Sequence, residues 1–512
     1  MSPLKKVIPV IILIMGCSGP TKTSNDTSNE QFAKELAELK EYFQIPGMAV
    51  LIQKDGQTLY EDYIGFADID QHLPMDSTTT IPMASLTKIF AGTLIWKLVD
   101  KGKVSLEEPI GHYVDNNKIP DSIKIGHVLS HTSQGILGEH FYYNNSRFAL
   151  LGNVIEKASG KSFKSNIYDE IINPLELTDT YLMEDSLQVA TENRKMASPY
   201  FLGGEVKEGY QEKKVTEGFI DYGYSPAAGI SSTVRDLARF SDGLDHGELI
   251  TTTSLDKMFT PYQTGLSYGL GIFSQKFMDE KLVWGYGQYD CYSSLLLKVP
   301  DKNLVFVIAA NNNLMSDPAR LIAGDVGYSL FALSFLKNFV FDLEQIPLIE
   351  DVNSLSSLAE RITSSNQEFY QKKLVGQAVA ASFMTRFDDS EGEMSKKILR
   401  QVFDRYPNYQ GYADLILLHN LNMLKSMDLF RGKGDYTEFD EQLVAIGKSL
   451  LNTDPFNPYA NYYMANYYDS KGIIDSTAYH FKQITSAKNF SSWWYTKEAE
   501  QWVMQNEKRT TN

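Results

Sequence analysis

The sequence predicts an α+β fold, in which an antiparallel sheet is flanked by helices and a mainly helical subdomain and is followed by an all-α C-terminal region. Strand patterns occur at both ends of the first part, in a hairpin-like segment at residues 47–68 and in four short segments within 268–313. We expect the strands from both ends to share one sheet. Beyond residue 351 strand patterns nearly vanish, and helical periodicity continues to the end. Because 512 residues exceed what a single core usually organises, we expect at least two domains.

The N-terminus has the pattern of a secretory signal. Two lysines precede an apolar run at residues 7–15, which is too short to span a bilayer. The run ends in "IMGC", which resembles a bacterial lipobox, where the signal is cut before a lipidated cysteine. We therefore predict a signal peptide at 1–16, lipidation of Cys17 and a flexible polar tether at 17–30. A plain signal or a chance cysteine is the alternative.

The net charge of −16 argues against two classes of partner. Nucleic acid and anionic lipid headgroups would be repelled over most of such a surface, so we expect neither to bind it electrostatically. Two cysteines in the whole chain exclude a disulfide framework. Cys291 is expected to be a small buried residue without a disulfide partner.

The first elements follow from local patterns. Residues 31–45 have helical periodicity, and the Asp-Gly pair at 55–56 separates two strand-like runs as a hairpin turn does. From Ser85 an apolar segment continues to Gly102, a residue typical of a helix end. Ser85 is therefore expected at the N-terminus of a helix, with Lys88 about one turn further along the same face.

The spacing of Ser85 and Lys88 is not distinctive by itself. A serine that begins a helix, with a lysine on the next turn, is usually a cap beside a solvated charge. A catalytic serine also needs a base, an oxyanion hole and a second proton carrier, which we expect further along the chain. The same spacing occurs elsewhere, at Ser2/Lys5, Ser254/Lys257 and Ser334/Lys337.

A tyrosine and an asparagine two residues apart occur in the segment "FYYNNSRFALLG". Two frames fit, Tyr142/Asn144 and Tyr143/Asn145. The segment resembles the Tyr-x-Asn element of the serine β-lactamase and penicillin-binding protein superfamily, particularly class C β-lactamases, D-Ala-D-Ala carboxypeptidases and related esterases. Only the second frame keeps Phe148 and the "LLG" that follows in register with the family's element, which favours Tyr143 and Asn145.

Other segments resemble this family in the same order along the chain. "IKIGHVLSHTSQG" resembles its "LLSHTSG" signature with Gln134 as an extra residue, and "SPAAGISSTVRDLARF" resembles "GGLxSTxxDLAxF". The resemblance covers about residues 31–313, and the joint match is more specific than any single motif. The four-residue spacing of His127 and His131 also fits a zinc site. The family has a histidine here without metal, so we predict a structural hydrogen bond for His131 and no bound metal.

The third active-site element of the family is altered in this chain. The family has Lys or His, then Thr or Ser, then Gly on a strand beside the nucleophile. The corresponding residues are Gly285, Tyr286 and Gly287, or, with a slip of one residue, Tyr286, Gly287 and Gln288. Neither frame supplies the cation and hydroxyl that bind a substrate carboxylate. The Gln288 backbone amide could still form an oxyanion hole with the Ser85 amide, because this role needs no side chain.

The resemblance implies a role for each of these residues. Ser85 is the expected nucleophile, and Lys88 the base, acting directly or through Tyr143. Tyr143 is expected to carry the proton to the leaving group, and Asn145 to orient Lys88 and the substrate. A lysine can act as a base near neutral pH only if burial or a nearby field lowers its pKa. No metal or organic cofactor is required.

The segment after residue 345 has a different character from the part before it. "NPYANYYMANYYDSKGIIDSTAYHF" loosely resembles a tetratricopeptide unit, and a generic helical bundle fits equally well. We predict a β-lactamase-like hydrolase domain at 31–345 and a separate helical domain at 346–512.

Together these patterns favour a lipid-anchored serine hydrolase of the bacterial cell envelope. Its substrate would be a small molecule or peptide, with an ester, an amide or a D-amino-acid peptide favoured over a β-lactam, because the cationic third motif is missing. The competing hypothesis is a catalytically idle, penicillin-binding-like lipoprotein whose helical domain binds a protein partner.

Overall fold

The structure is a computed structural model that describes residues 24–114, 119–184, 195–351, 353–406, 412–434, 437–486 and 494–506. The predicted signal peptide, Cys17 and the first part of the predicted tether lie outside the described residues. Within these ranges, no helix is both long and apolar enough to cross a membrane.

An antiparallel sheet organises the first part of the chain, as the sequence predicts. The strands of the described residues are β1 (Gly47–Lys54), β2 (Gln57–Asp68), β3 (Leu73–Pro74), β4 (Ile81–Pro82), β5 (Tyr181–Leu182), β6 (Tyr200–Leu202), β7 (Val206–Lys207), β8 (Tyr210–Gln211), β9 (Val215–Glu217), β10 (Ile230–Ser232), β11 (Phe273–Phe277), β12 (Glu280–Tyr289), β13 (Tyr292–Val299) and β14 (Leu304–Ala310). Seven of them form one sheet in the order β11-β12-β13-β14-β1-β2-β3. The first strand therefore pairs with the last, which confirms the expectation that strands from both ends share a sheet.

Helices surround this sheet and make up most of the second part. Their bounds are α1 (Ser24–Tyr42), α2 (Thr87–Asp100), α3 (Ile125–Leu129), α4 (Asn145–Ala149), α5 (Leu151–Ser159), α6 (Phe163–Ile167), α7 (Val234–Asp245), α8 (Thr252–Met258), α9 (Leu330–Phe339), α10 (Leu358–Arg361), α11 (Gln367–Met384), α12 (Asp389–Arg405), α13 (Tyr412–Phe430), α14 (Asp440–Thr453), α15 (Pro458–Ser470), α16 (Ile474–Ser486) and α17 (Trp494–Asn506).

The central strands are apolar on both faces because a hydrophobic cluster covers each face. In β1, Met48, Val50 and Ile52 belong to the cluster that also contains residues of α1 and α9. Ala49 and Leu51 point to the opposite cluster, which contains residues of α2, α5 and α7. This two-residue alternation within an unbroken apolar run is what a strand buried on both faces requires.

The predicted hairpin and the helix that follows Ser85 are both present. Asp55 and Gly56 form the turn between β1 and β2, with φ angles of 51° and 73°, as expected for an Asp-Gly hairpin. Ser85 itself lies in a short 3₁₀ turn, Ala84–Leu86, one step before α2 begins. Helix α2 is buried over most of its length rather than amphipathic, because it packs within a core.

The C-terminal helices share a hydrophobic cluster with the sheet. Phe369 of α11, Leu399 of α12, Leu417 of α13 and Met464 of α15 belong to the same cluster as Met48. A mainly helical second part is thus confirmed. The exact boundary after residue 345 and the tetratricopeptide-like character stay predictions.

A buried ion pair joins the first helix to α9. The Lys337 ammonium contacts the Glu35 carboxylate, with side-chain exposures of 0% and 2%. Ser334 and Asn338 also donate hydrogen bonds to Glu35, at 2.6 and 2.9 Å.

We expect Lys337→Met to destabilise the protein by about 3–5 kcal/mol, because a buried carboxylate would lose its cation. The free energy of unfolding from a urea titration measures this loss. Lys34→Met is the matched control, because Lys34 forms an exposed pair with Glu38 at 3.7 Å and its loss should not shift the unfolding midpoint. Equal effects of the two substitutions would contradict the prediction.

Candidate active site

The nucleophile candidate lies in a constrained turn. Ala84, directly before Ser85, has a φ of 45°, which is uncommon for a residue with a side chain. The Thr87 hydroxyl donates to the Ala84 carbonyl at 2.7 Å and accepts from the Ile230 amide at 3.1 Å. These bonds hold the turn against β10 and fix the direction of Ser85, whose side chain remains partly accessible.

Lys88 lies beside Ser85 in an environment that favours a neutral amine. Its Nζ is 3.0 Å from the Ser85 Oγ and donates to the Ala227 carbonyl at 2.8 Å. The side chain is 2% exposed, and burial lowers the pKa of Lys88 well below 10.5. A buried lysine without a carboxylate partner is a suitable proton acceptor near neutral pH.

Tyr143 completes this group from the opposite side. The Lys88 Nζ is 4.9 Å from the centre of the Tyr143 ring. Burial raises the pKa of Tyr143, and an interaction with the Ser85 side chain lowers it by less. Because the pKa of the tyrosine is raised while that of the lysine is lowered, Lys88 is the better initial proton acceptor, and Tyr143 stays protonated and able to donate.

The two frames considered for the Tyr-x-Asn element have different surroundings. Tyr143 lies next to Lys88, whereas the hydroxyl of Tyr142 donates to the Asp454 carboxylate beyond α14. Asn144 is buried, donates to the Gln134 side chain at 2.5 Å and caps α4.

Asn145 is not brought to the lysine in this structure. It begins α4 and is exposed. No hydrogen bond among the described residues joins it to Lys88. Its predicted contact with a substrate stays a prediction.

His131 has the structural position that the sequence favours. Its ring stacks on Tyr143 with the centroids 4.4 Å apart, and its Nδ1 accepts from the Asn144 amide at 3.1 Å. Burial, followed by the nearby Lys88, lowers the pKa of His131 well below 6.5, so the ring is neutral. Across the described ranges, no three His, Cys, Asp or Glu residues are grouped as metal ligands would be.

The altered third motif lies beside the nucleophile. Strand β11 pairs with β12 only as far as Trp284, so the last residues of β12 extend past it. The backbone there contacts the turn that carries Ser85: a Cβ placed on Gly287 would be 1.9 Å from the Met83 carbonyl oxygen. Gly285 and Gly287 therefore lie against the turn and helix that carry Ser85 and Lys88, and Gln288 follows them on β12. The roles of these residues in binding and in the oxyanion hole stay predictions.

Tyr286 does not replace the missing cation. Its side chain is buried, with its ring 6.0 Å from that of Tyr143, and burial raises the pKa of Tyr286. The positive charge of Arg320, in the segment after β14, acts on Tyr286 and lowers its pKa by less than burial raises it. At the third motif, β12 thus presents backbone groups and the aromatic ring of Tyr286, and no cationic side chain of its own.

Sequence reasoning missed the contributions of Ala227, Arg320 and Asp454. Ala227 acts through its carbonyl, which no side-chain motif reveals, although "SPAAG" lies in a segment that resembles the family. Asp454 bonds to a residue 312 positions earlier in the chain. No local pattern could have indicated that contact.

The sheet and its flanking helices have a β-lactamase-like fold, and members of the β-lactamase and penicillin-binding protein superfamily are generally serine hydrolases. The family model described as Beta-lactamase matches residues 32–325, more than half of the chain, and the chain belongs to this family.

Two relatives are each similar to more than half of this chain. Protein flp of Staphylococcus aureus (strain N315) is 24% identical over 335 residues, which cover 57% of this chain and 65% of the relative. The chain thus spans slightly less than two thirds of that protein. Penicillin-binding protein 4* of Bacillus subtilis (strain 168) is 23% identical over 333 residues, covering 55% of this chain and 72% of the relative.

A solved structure supports the fold. The octameric penicillin-binding protein homologue from Pyrococcus abyssi superposes with a TM-score of 0.53 at 21% identity, covering 68% of this chain and 81% of that one.

Proposed function

We propose that this protein is a lipid-anchored serine hydrolase of the bacterial cell envelope that acts through an acyl-enzyme on Ser85. The observation that carries the proposal is the buried Lys88, which is 3.0 Å from the Ser85 Oγ and whose pKa burial lowers. A serine hydroxyl is a weak nucleophile until a neighbouring base accepts its proton. A neutral lysine in contact with it supplies that base.

The reaction would proceed in two stages. The Ser85 Oγ attacks the substrate carbonyl carbon while its proton passes to the Lys88 Nζ. The backbone amides of Ser85 and Gln288 stabilise the developing oxyanion. Tyr143 donates its proton to the departing alcohol or amine and is reprotonated by Lys88, which leaves an ester on Ser85. Water then attacks this ester as its proton passes to the Lys88 Nζ. Lys88 returns that proton to the Ser85 Oγ as the acyl bond breaks, which releases the carboxylic acid and restores Ser85.

The substrate side of the proposal follows from the third motif. Gly285, Tyr286 and Gly287 provide neither a lysine nor a hydroxyl placed for a carboxylate. An ester, an amide or a D-amino-acid peptide without a required carboxylate is therefore favoured over a β-lactam. Asn145, which is exposed at the start of α4, would contact such a substrate.

Covalent labelling tests the nucleophile. A fluorophosphonate probe is expected to label the purified protein at pH 7–8, and Ser85→Ala should abolish labelling because the reactive oxygen is removed. Ser254→Ala is the matched control: Ser254 has the same spacing to a lysine, but its hydroxyl bonds to Asp100, so labelling should persist. Absence of labelling in the folded wild type would instead support the idle, partner-binding alternative.

Lipid attachment is tested separately in a bacterial host. With the full chain expressed, radioactive palmitate should be incorporated and the protein should sediment with membranes. Cys17→Ser should abolish incorporation and release the protein, because serine lacks the sulfur through which the lipid is attached. Cys291→Ser is the control, since Cys291 is buried and donates to the Phe219 carbonyl. Incorporation that survives Cys17→Ser would rule out the anchor.

A further inference from the structure

A cavity of about 570 Å³ lies between the loop that ends in Tyr143 and the C-terminal helices. One wall is residues 139–143, which end in Tyr143, together with 264–266 and 320–323 of the first part. The other wall belongs to the helical part. It includes Leu415 and His419 of α13, Leu450 of α14, and Tyr459 and Tyr463 of α15. This volume is in the range of sites that hold small organic molecules.

The position of the cavity relates it to the leaving group rather than to the nucleophile itself. Tyr143 lines the cavity, and its hydroxyl interacts with the side chain of Ser85. Ser85 and Lys88 are not among the lining residues. In the proposed reaction Tyr143 donates the proton to the departing alcohol or amine. The space next to Tyr143 is therefore where that departing group would lie.

Three polar side chains of the wall, those of His419, Tyr463 and Arg320, are engaged with one another. The His419 Nδ1 and the Tyr463 hydroxyl are 2.7 Å apart, and Tyr463 also interacts with Arg320. Arg320 lies 3.7 Å from the Asp317 carboxylate. Burial, followed by the nearby Arg320, lowers the pKa of His419 well below 6.5, so that ring is neutral.

The acidic wall residue Asp454 is engaged through one of its two oxygens. Its Oδ2 accepts from Tyr142, whereas its buried Oδ1 lies 3.8 Å from His140 and has no hydrogen-bond partner among the described residues. A neutral hydrogen-bond donor on a ligand could therefore satisfy this oxygen. The rest of the lining combines apolar and aromatic side chains with neutral polar ones and one exposed carboxylate. The apolar and aromatic residues include Phe141, Ile322, Leu415 and Leu450, the neutral polar ones are Thr264, Ser449, Thr453 and Asn457, and the carboxylate is that of Glu139.

The geometry points to a subsite for an uncharged, aromatic-sized leaving group, half of which is built by the C-terminal helices. This inference rests on the proposed function and extends it: the helical part acts as a specificity wall of the same active site. The Tyr142–Asp454 bond holds that wall against the loop that carries Tyr143, so the two parts form one binding site.

Esters that differ on only one side of the scissile bond test this assignment. 1-Naphthyl acetate and vinyl acetate share the acyl group and differ in the alcohol, whereas vinyl octanoate and vinyl acetate differ in the acyl group. The value of kcat/KM reports the steps up to acylation, in which the alcohol departs. Leu415→Trp and Leu450→Trp each place a larger ring at the cavity from a partly exposed position.

We expect both variants to lower the kcat/KM ratio of 1-naphthyl acetate to vinyl acetate at least about tenfold. The tryptophan would occupy the space that the naphthyl group needs, and the loss of such a pocket contact changes kcat/KM by about this factor. The ratio of vinyl octanoate to vinyl acetate should stay within about twofold. Leu429→Trp is the control, because Leu429 lies on the same helix α13 and is 43% exposed. It should change neither ratio.

The inference is overturned if folded Leu415→Trp and Leu450→Trp keep the wild-type naphthyl ratio. It is also overturned if the octanoate ratio falls instead, because the cavity would then serve the acyl side. Fluorophosphonate labelling of Ser85 is read in the same samples. Wild-type protein that fails to label would refute the proposed function, whereas labelled protein with unchanged ratios would refute only the subsite.

Discussion

Replacing Lys88 by methionine is expected to lower kcat/KM for ester hydrolysis by about 10²–10⁴-fold, the usual contribution of a general base. Methionine keeps a similar length and fills the same buried space, but it has no nitrogen to accept the Ser85 proton. The hydrogen bond to the Ala227 carbonyl would also be lost. Steady-state kinetics with 1-naphthyl acetate measure the change. Residual activity near the wild-type level would exclude Lys88 as the base.

The pH dependence gives an independent readout of the same group. Only the neutral form of Lys88 accepts a proton, so kcat/KM should rise with pH and level off well below pH 10.5, because burial lowers the pKa of this lysine. In Lys88→Met this rise should disappear. A wild-type profile that keeps rising through pH 10.5 would mean that the lysine keeps its ordinary pKa, contrary to the structure.

The substitution Lys88→Met should lower the activity of the protein but raise its stability. The unfolded lysine holds its proton up to about pH 10.5, whereas the folded Lys88 releases it at a lower pH. Between these two values the unfolded chain binds more protons, so the stability of the wild type rises with pH. At pH 7 the unfolded lysine is protonated, and burying it on folding costs free energy because its pKa falls. Lys88→Met removes this cost and should raise the melting temperature at pH 7. A lower melting temperature would indicate a mainly structural lysine.

The sequence predicts the architecture well where a local pattern determines an element. The Asp-Gly pair at 55–56 gives the first hairpin, and four strand-like segments become β11–β14. Their neighbours along the chain are also their neighbours in the sheet. The pairing of β1 with β14 joins residues 250 to 262 positions apart, and it could be expected because strand patterns at both ends of an α+β domain indicate one shared sheet.

The candidate site was predictable in its residue types but not in all its contacts. Ser85, Lys88 and Tyr143 are brought together as the motifs indicate. Asn145 is exposed and lies apart from Lys88, because Asn144, one position earlier, takes the buried capping position on α4. A choice between two adjacent asparagines depends on the local backbone, which the motif does not determine.

The role of the helical part could not be predicted from its sequence. Its periodicity indicates helices, yet the decisive contact joins Tyr142 to Asp454, far away in the chain. Long-range polar contacts of this kind depend on how two apolar faces dock, and apolar periodicity carries no information on their relative register. Tyr142, the alternative to Tyr143 in the Tyr-x-Asn element, thus connects the two parts of the protein.

Gly287→Ala is expected to reduce activity by at least about 100-fold, because displacing catalytic groups by 1 Å can cost that much. The added Cβ would lie 1.9 Å from the Met83 carbonyl oxygen and 2.5 Å from the Ser294 Oγ. The first of these is backbone, so the turn that carries Ser85 must move away from β12. The proposed oxyanion amides, those of Ser85 and Gln288, would separate. The measurement is the rate of fluorophosphonate labelling together with kcat/KM.

Gly285→Ala is the matched control on the same strand and the same side. Its Cβ would lie 2.6 Å from the Ile89 Cδ1 and 3.0 Å from the Leu86 Cδ2, which are the ends of side chains that can rotate. We expect this variant to stay within about tenfold of wild type, since a misplaced side-chain end can shift at lower cost than backbone. If Gly287→Ala is as active as Gly285→Ala, close contact between β12 and the Ser85 turn is not needed, and the oxyanion hole must be formed by other donors.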